Sequence, residues 1–350
     1  MSVRMGVVGA GRMGKLHCRV LSEMTGVELV CVVDASPAAA AAVAAQYGAI
    51  ALNRAEDAVE RVDAAIVAVP TSAHVEAARP FVAAGKPVLI EKPLANSSAE
   101  GEELIALAER TGSSIQVGQT ERFNPAVDAV RRFDIKPKFI EAHRISPFTF
   151  RSADIGVVMD MMIHDIDLVL MMVGGEPTDV QAVGVNVLGR HEDIANARMR
   201  FPDGCVANLT ASRLAVRSER KMRIFSEQAY LSVDYGKKVG AVVKKSENLD
   251  LIQMAAQMDA ANLAELAMSL DYTKLLKFEQ LQVADDVEPL RKQAEAFCRC
   301  VADGAEPVVP AAEALADLRC AEAIVAAIKR HRWDGEASDR VGLDIISKDG

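Results

Sequence analysis

The chain has 350 residues, of which 50% are hydrophobic and 4% aromatic, and its formal net charge is −9 at pH 7. This length predicts about two domains with ample cores, and the acidic balance argues against nucleic acid or an anionic membrane surface as a partner. No apolar run reaches the roughly 18 residues of a membrane-spanning helix, and no signal-peptide pattern is visible. The six cysteines are scattered without C-x-x-C pairs, which favours reduced thiols. We therefore expect a cytoplasmic protein.

A glycine-rich turn follows the first predicted strand, Arg4 to Val8. Gly9, Gly11 and Gly14 form the pattern G-x-G-x-x-G, and Asp34 ends the second apolar strand twenty residues later. In a dinucleotide-binding unit the glycines permit a tight turn, close approach of a pyrophosphate and close helix packing. The helix N-terminus favours the anion, and the carboxylate binds ribose hydroxyls while repelling a 2′-phosphate. The pattern predicts a site for NAD rather than NADP; the alternative is a glycine turn of a flavodoxin-like domain with an incidental Asp.

The first third of the chain alternates apolar strands with helical patterns. Further strands are predicted at Ala64 to Val69, Val88 to Ile90 and Ser114 to Val117, with helices at Ala73 to Ala84 and Ala99 to Arg110. Such alternation is typical of a doubly wound parallel sheet. We place this Rossmann domain at residues 1–122.

After about residue 122 the pattern changes to strand-like segments in succession. A helix at Asn124 to Phe133 and a strand at Lys138 to Ile145 precede an apolar helix at Val158 to Val173. The strands predicted after that helix are Val180 to Leu188, Ala195 to Phe201, Cys205 to Ser212, Lys221 to Ser226 and Ala229 to Tyr235. This succession predicts an α+β domain with a large, mainly antiparallel open sheet at residues 123–350. We expect its C-terminal helix, 311–330, to dock back on the first domain.

One candidate for chemistry is the segment Glu91-Lys92-Pro93, directly after the strand Val88 to Ile90. Ligands of open α/β sheets bind beyond the carboxyl ends of the strands. The ammonium of Lys92 is therefore a candidate for hydrogen bonding to the oxygen of a reacting C–O group. The alternative is an ordinary surface lysine.

A second candidate is the pair Asp160 and His164 on the predicted helix Val158 to Val173. The i, i+4 spacing places both on one helix face, where a carboxylate orients an imidazole and stabilises its protonated form. Two alternatives are a core histidine satisfied by a neighbouring carboxylate and a metal site. A metal needs at least one more ligand, and no second histidine lies at ligand spacing, so we predict none.

Five segments together resemble one known family over nearly the whole chain. These segments are Val8–Gly14, Val69–His74, Glu91–Pro93, Asp160–Asp167 and Val287–Leu290. They are similar to the Gfo/Idh/MocA oxidoreductases. The resemblance implies an N-terminal Rossmann domain, a C-terminal open-sheet domain and NAD-dependent oxidation of a sugar hydroxyl to a ketone.

The resemblance also implies roles for individual residues. His164 would take the proton from the hydroxyl, oriented by Asp160, while Lys92 hydrogen-bonds the same oxygen. The cofactor-binding set from the glycine pattern and the resemblance is Gly9, Gly11, Arg12, Met13, Gly14, Asp34, Pro70, Thr71, His74, Glu91, Lys92 and Gln119.

The substrate is suggested by a resemblance to one branch of this family. Residues 119–125, 143–148 and 154–158 resemble dehydrogenases that act on nucleotide sugars such as UDP-N-acetylglucosamine, in the route to amide-linked lipid A. A diphosphate calls for cations and hydrogen-bond donors, and the candidates are Arg122, Asn124, Arg144, Arg151 and Arg213. For each arginine taken alone, the alternative is an ordinary structural or solvated role.

Other interpretations stay open at this point. The substrate is alternatively a free polyol or a cyclitol of the inositol type, and a non-catalytic NAD-binding regulator is a further alternative that the intact catalytic set disfavours. The segment Leu249 to Leu270 has apolar residues at near-helical spacing, as in a lid, an oligomer contact or a packed helix. An exposed sheet face would be a large apolar patch, so we expect a homodimer or homotetramer through the C-terminal sheet.

Overall fold

The computed structural model describes residues 2–133, 135–149, 155–188, 190–245, 276–284 and 288–331. Within these residues the chain forms two sheets, a parallel one followed by a mixed one, with helices packed on both. The sequence-predicted segment Leu249 to Leu270 and the candidate Arg151 lie outside the described residues.

The first sheet has six parallel strands among the described residues, in the order β3-β2-β1-β4-β5-β6. Its strands are β1 (Val3–Val8), β2 (Val27–Val33), β3 (Ile50–Leu52), β4 (Ala64–Val67), β5 (Val88–Glu91) and β6 (Ile115–Gly118). The helices between them are α1 (Arg12–Ser22), α2 (Pro37–Tyr47), α3 (His74–Ala83) and α4 (Ser98–Thr111). The order reverses between β1 and β4, which opens a crevice at the carboxyl ends of these strands. The predicted doubly wound Rossmann architecture is confirmed.

Helices of this domain begin and end at residues suited to those positions. Ser97 accepts a hydrogen bond from the main-chain nitrogen of Glu100 at the start of α4, and Gly112 ends the helix in the left-handed conformation at φ 70°. Ser36 and Gly48 have the same roles at the two ends of α2. A side-chain N-cap satisfies an otherwise unpaired amide, and glycine adopts a positive φ without a Cβ clash.

The second sheet has eight strands within the described residues, in the order β14-β13-β12-β11-β7-β10-β9-β8. They are β7 (Phe139–Ile145), β8 (Asp179–Val185), β9 (Ile194–Arg200), β10 (Val206–Ser212), β11 (Glu219–Phe225), β12 (Ala229–Asp234), β13 (Val239–Lys245) and β14 (Leu276–Gln280). Each pair is antiparallel except β7 and β10 at the centre, which run parallel. The predicted open, mainly antiparallel sheet is therefore confirmed.

One face of the second sheet is covered and apolar. Along β7 and β11 the side chains of Ile140, Ala142, Met222 and Ile224 alternate inward and are fully buried. The helices that follow β6 are α5 (Pro125–Arg131), a π-helical turn at Val158–Met162 that continues into α6 (Ile163–Val173), α7 (Pro289–Asp303) and α8 (Ala311–Arg330). Of these, α7 packs on α1 and β1 of the first domain.

The opposite face of the sheet is open among the described residues and carries both polar and apolar side chains. Asn196 and Arg198 of β9 are exposed there, and Arg223 of β11 donates to Glu141 of β7 at 2.8 Å. Large apolar side chains are exposed on the same face, among them Ile194, Phe225 and Phe278. A homodimer or homotetramer through this sheet stays a prediction.

Helix α8 contacts both halves of the molecule. It packs on α6 and β8, and it also lies against α4 and β6. Ser98 at the start of α4 donates its hydroxyl to Glu322 of α8 at 2.6 Å, and Arg319 donates to Glu102 at 2.9 Å. Residues from the end of the chain therefore reach the junction between the two sheets.

Two further properties of the described residues concern membrane-spanning helices and cysteines. In the part of the chain that the structure describes, no helix is both long enough and apolar enough to cross a membrane. All six cysteines are free thiols, and all but Cys298 are buried.

Candidate active site

Of the three glycines in the turn between β1 and α1, only one has open space where a side chain would lie. Gly9 has a φ of 108°, and a Cβ there would lie 2.4 Å from the Ala68 oxygen. A Cβ on Gly14 would lie 1.7 Å from the Gly9 oxygen, whereas a Cβ on Gly11 would meet nothing within 4 Å. Two glycines are thus required by packing, and the third keeps the space before α1 open. This arrangement fits a pyrophosphate bound at the helix N-terminus.

Asp34 lies beside the glycine turn. Its Oδ2 accepts from the Ala10 nitrogen at 2.8 Å, and its Oδ1 accepts from the Ser36 nitrogen at 2.9 Å. The carboxylate is partly exposed, and each of its oxygens has a second lone pair. It therefore fits the predicted role of a ribose ligand.

The other predicted cofactor residues divide into accessible and buried ones. The accessible or partly accessible ones are Arg12, Met13, Pro70 and Thr71. His74 is only 1% exposed: its Nδ1 lies 2.8 Å from the Pro93 oxygen and its Nε2 lies 3.0 Å from the Val69 oxygen. Burial lowers the pKa of His74. This histidine therefore ties the turn after β4 to the turn after β5, a role that the sequence did not predict.

Glu91 is also turned into the protein. Its Oε1 lies 2.7 Å from Nε2 of the fully buried His17 on α1. Gly118 of β6 lies so close that a Cβ there would be 3.1 Å from the glutamate. Glu91 thus joins α1 to the carboxyl ends of β5 and β6, directly before Lys92.

Lys92 reaches across the junction to the second half of the molecule. Its Nζ donates to the main-chain oxygen of Asp160 at 2.6 Å and to Oδ1 of the same residue at 3.3 Å. The two side chains are 19% and 25% exposed. The structure therefore brings together two residues that the sequence assigned to separate constellations.

Asp160 lies in the π-helical turn Val158–Met162. At the start of this turn, Oε1 of Glu192 accepts from the Val158 nitrogen at 3.2 Å. A π turn holds more residues than an α turn, so an i, i+4 pair that spans it no longer aligns as in the predicted continuous helix. Wide turns of this kind are frequent at functional sites.

His164 has a different neighbour from the one predicted. Its Nδ1 lies 3.1 Å from Oε1 of Gln119, whereas the carboxylate of Asp160 accepts from Lys92. Removal from water lowers the pKa of His164 well below its ordinary value, and the positive charges of Lys92, Arg144 and Arg220 lower it further. The imidazole is therefore neutral at pH 7 and able to accept a proton.

Three of the arginines predicted to bind substrate are held by carboxylates of the protein. Arg144 donates to both oxygens of Asp165 at 2.8 and 2.9 Å and to Glu121 at 2.8 Å. Arg122 is paired in the same way with Asp167 at 2.7 Å and with Glu313 at 2.5 Å.

Arg213 and Asn124 are likewise engaged inside the fold. Arg213 donates to Asp193 at 2.6 Å and to the Ile155 oxygen at 2.8 Å. Asn124 caps α5 by accepting from the Ala126 nitrogen and donates to Glu121 at 2.8 Å. All four side chains thus bond groups of the protein itself, and their contact with substrate stays a prediction.

Arg220, an exposed cation that acts on His164, was not among the predicted site residues. Arg220 on β11 lies opposite Arg144 on β7 in the sheet register, and it shares the inner face with Met222. Arg220 is exposed where Arg144 and Met222 are buried. An arginine at an inward position of an alternating strand was the available signal.

Asp317 of α8 was missed as well. It is 1% exposed, and its Oδ2 accepts from Nε2 of Gln119 at 3.2 Å. Burial, together with the negative charge of Asp167, raises the pKa of Asp317 to about 9. Gln119, predicted as a cofactor ligand, is therefore a buried link between His164 and the C-terminal helix.

A parallel sheet with an open glycine turn, next to a lysine and a neutral histidine at its carboxyl edge, defines an NAD-binding oxidoreductase. Residues 3–119 match the family model described as "Oxidoreductase family, NAD-binding Rossmann fold". Residues 127–232 match the model described as "GFO/IDH/MocA C-terminal domain". The chain belongs to the Gfo/Idh/MocA oxidoreductase family.

Similar proteins include dehydrogenases of a nucleotide sugar and of inositol. UDP-N-acetylglucosamine 3-dehydrogenase from Acidithiobacillus ferrooxidans is 38% identical over 234 residues, which cover 67% of this chain and 74% of that protein. Inositol 2-dehydrogenase from Rhizobium meliloti is 27% identical over 344 residues, 95% and 98% of the two chains. A solved structure of the Acidithiobacillus enzyme superposes with a TM-score of 0.82 at 30% identity, covering 94% of this chain and 98% of that one.

Proposed function

We propose that the protein oxidises the 3-hydroxyl of a nucleotide sugar, UDP-N-acetylglucosamine being the leading candidate, to a ketone with NAD. The proposal rests on the contact between Lys92 and Asp160, where the two halves of the molecule meet. A lysine fixed by Asp160 lies within electrostatic reach of a neutral histidine, at the carboxyl edge of the glycine-turn sheet.

Oxidation of a secondary alcohol to a ketone removes a proton from the hydroxyl oxygen and a hydride from the carbon that carries it. The neutral imidazole of His164 is suited to take the proton, because its lowered pKa keeps it unprotonated at pH 7. The ammonium of Lys92 donates a hydrogen bond to the same oxygen and stabilises its developing negative charge. NAD, when bound, supplies the acceptor for the hydride.

Asp160 contributes by positioning Lys92. Its main-chain oxygen and its carboxylate both accept from the ammonium, which leaves the third ammonium hydrogen for the substrate oxygen. A catalytic donor held in this way needs little rearrangement when the substrate arrives.

The nucleotide-sugar part of the proposal is supported by the relative at 38% identity and by Arg220. This guanidinium is exposed on the inner face of β11, near His164, where a substrate diphosphate would find a bidentate donor. We assign the recognition of the diphosphate to Arg220 in place of the buried arginines.

NAD is the preferred cofactor in this proposal. Asp34 is fixed beside the glycine turn by two main-chain amides. Its negative charge would bind two ribose hydroxyls but would repel the 2′-phosphate of NADP.

A cyclitol is the second candidate substrate. The inositol 2-dehydrogenase from Rhizobium meliloti matches nearly the whole chain, α8 included, although at lower identity. A cyclitol is uncharged and needs no cation, so Arg220 separates the two candidates.

The test is NADH formation by purified protein with NAD and UDP-N-acetylglucosamine, with an aminotransferase and glutamate added to remove the keto product. We expect turnover that is lost by at least about 100-fold in Lys92→Ala and in His164→Ala, because each removes a group that acts in the transition state. Both variants should still bind NAD. Lys221→Ala is the matched control, since that lysine lies on the open sheet face beside Glu219.

Substrate choice is tested with Arg220→Gln. We expect a higher KM for UDP-N-acetylglucosamine and little change in kcat, because the diphosphate is bound alike in the ground and transition states. Turnover of myo-inositol by wild-type protein, with none of the nucleotide sugar and no effect of Arg220→Gln, would establish the cyclitol alternative instead.

A further inference from the structure

Three buried or partly buried side chains form a chain of hydrogen bonds from the catalytic histidine to the C-terminal helix. Nδ1 of His164 lies 3.1 Å from Oε1 of Gln119, and Nε2 of Gln119 donates to Oδ2 of Asp317 at 3.2 Å. Gln119 and Asp317 are each 1% exposed. Water therefore does not compete for these groups, and each partner determines the orientation of the next.

Asp317 fixes which end of the Gln119 amide faces the histidine. Burial raises the pKa of Asp317 and of its neighbour Asp167, but Arg122 bonds both oxygens of Asp167 at 2.7 to 2.9 Å and opposes the rise there, so we assign the proton of this carboxyl pair to Asp317. An ionised carboxylate accepts a proton donor more strongly than an amide oxygen does. Oδ1 of Asp317 is buried and has no other hydrogen-bond partner, so we place the acid hydrogen there, toward Asp167. Oδ2 is then the carbonyl acceptor for the amide nitrogen of Gln119.

The orientation of the amide in turn determines the tautomer of His164. With Nε2 of Gln119 committed to Asp317, its Oε1 faces Nδ1 of His164 and accepts a hydrogen there. A neutral imidazole carries one hydrogen, so Nε2 of His164 then has the lone pair.

We infer that Asp317 is a positioning residue that, through Gln119, holds His164 in the tautomer with Nε2 as the base. Its effect on turnover rests on the proposed dehydrogenation, whereas the tautomer is a property of the protein without substrate. The inference makes α8 part of the support of the catalytic centre, although none of its residues is assigned to the reaction.

The tautomer is measured directly by ¹⁵N NMR of protein labelled at histidine. The His164 signals are assigned by their loss in His164→Ala. We expect a protonated Nδ1 and an unprotonated Nε2 in wild-type protein near pH 7. A protonated Nε2 in the wild type would overturn the inference, and this result needs no variant at Asp317.

Two substitutions at Asp317 separate positioning from mere filling of space. Asp317→Asn retains a carbonyl for Gln119 and places an amide donor toward Asp167, so it should keep the tautomer and a kcat within about threefold of wild type. Asp317→Leu removes the acceptor and frees the amide to rotate. The Nε2-protonated form should then appear, and kcat should fall by at least about tenfold with unchanged NAD binding.

Glu322→Leu is the matched control, because Glu322 is another carboxylate of α8 and bonds Ser98, away from Gln119. It should leave both the tautomer and kcat unchanged. An unaltered tautomer and kcat in Asp317→Leu, or an equal loss in Asp317→Asn, would contradict the inference. Absence of wild-type turnover with any sugar would instead refute the proposed function, and the tautomer measurement would still decide the role of Asp317.

Discussion

The glycine turn after β1 and the helix that carries His164 hold their functional groups in different ways. In the glycine turn, main-chain atoms do the positioning: Gly14 packs against the Gly9 oxygen, and Asp34 is held by two amides. Around His164, the positioning falls to charged and amide side chains from distant segments, such as Gln119 and Asp317.

The difference matters because the two kinds of support fail in different ways. A clash in a tight main-chain turn displaces a local segment, at a cost set by how far the backbone can shift. Loss of one member of a buried ion pair leaves an uncompensated charge in the core and affects the stability of the whole fold. Substitutions in the two regions should therefore separate cofactor binding from folding.

The largest expected effect is that of Arg144→Met. This buried guanidinium compensates the carboxylates of Asp165 and Glu121. Its loss should lower the free energy of unfolding by about 3–5 kcal/mol, as measured by urea denaturation. Arg223→Met is the control: its pair with Glu141 is exposed and should contribute at most about 1 kcal/mol. Equal effects of the two would show that the buried pairs do not support the fold.

The next effect distinguishes two glycines of one turn. Gly14→Ala introduces a Cβ against main chain and should cost roughly 1–3 kcal/mol of stability as well as NAD affinity. Gly11→Ala meets open space, so the protein without cofactor should unfold at the wild-type temperature while NAD binding weakens. Calorimetric unfolding and NAD titration test both variants. A Gly11→Ala protein with normal NAD affinity would place the pyrophosphate elsewhere.

Asp34→Ala should change cofactor preference with little effect on the rest of the site. Loss of charged hydrogen bonds to the ribose is expected to raise the Kd for NAD roughly tenfold, while the Kd for NADP should fall because repulsion of its phosphate is removed. The ratio of the two constants is the measurement. An unchanged ratio would mean that Asp34 acts only on the glycine turn.

The smallest expected effect is a change in the pH profile of kcat/KM in Arg220→Gln. Activity in the oxidation direction is lost as pH falls through the pKa of His164, because the protonated imidazole is no base. Arg220 lowers this pKa, so its removal should move the acid limb to higher pH. Arg198→Gln, on the open face, should leave the profile in place. A shift to lower pH would show that Arg220 does not act on His164.

What the sequence predicted well was determined locally. The glycine turn, Asp34 and the strand–helix alternation depend on residues close together in the chain, so their spacing carried the structure. Lys92 and Asp160 were identified, but their mutual contact spans 68 positions and was not visible in either motif.

The contacts that the sequence did not reveal depend on distant partners. Nothing in the sequence around Arg144 or Arg122 shows that carboxylates elsewhere neutralise them, and the π turn at Asp160 leaves no spacing signal. Asp317 lies 198 positions from Gln119, within a helix whose sequence alone does not show which side chain it meets. Buried polar networks are specified by tertiary structure, and one sequence does not reveal which charge meets which.

The position of Asp317 near the end of the described chain has a consequence for synthesis. The glycine turn and Asp34 leave the ribosome first, and 283 positions separate Asp34 from Asp317. At about 5–20 residues per second, that interval lasts roughly 15–60 s. A nascent chain thus contains the glycine turn and Asp34 long before Asp317, the residue that fixes the tautomer of His164, has been synthesised.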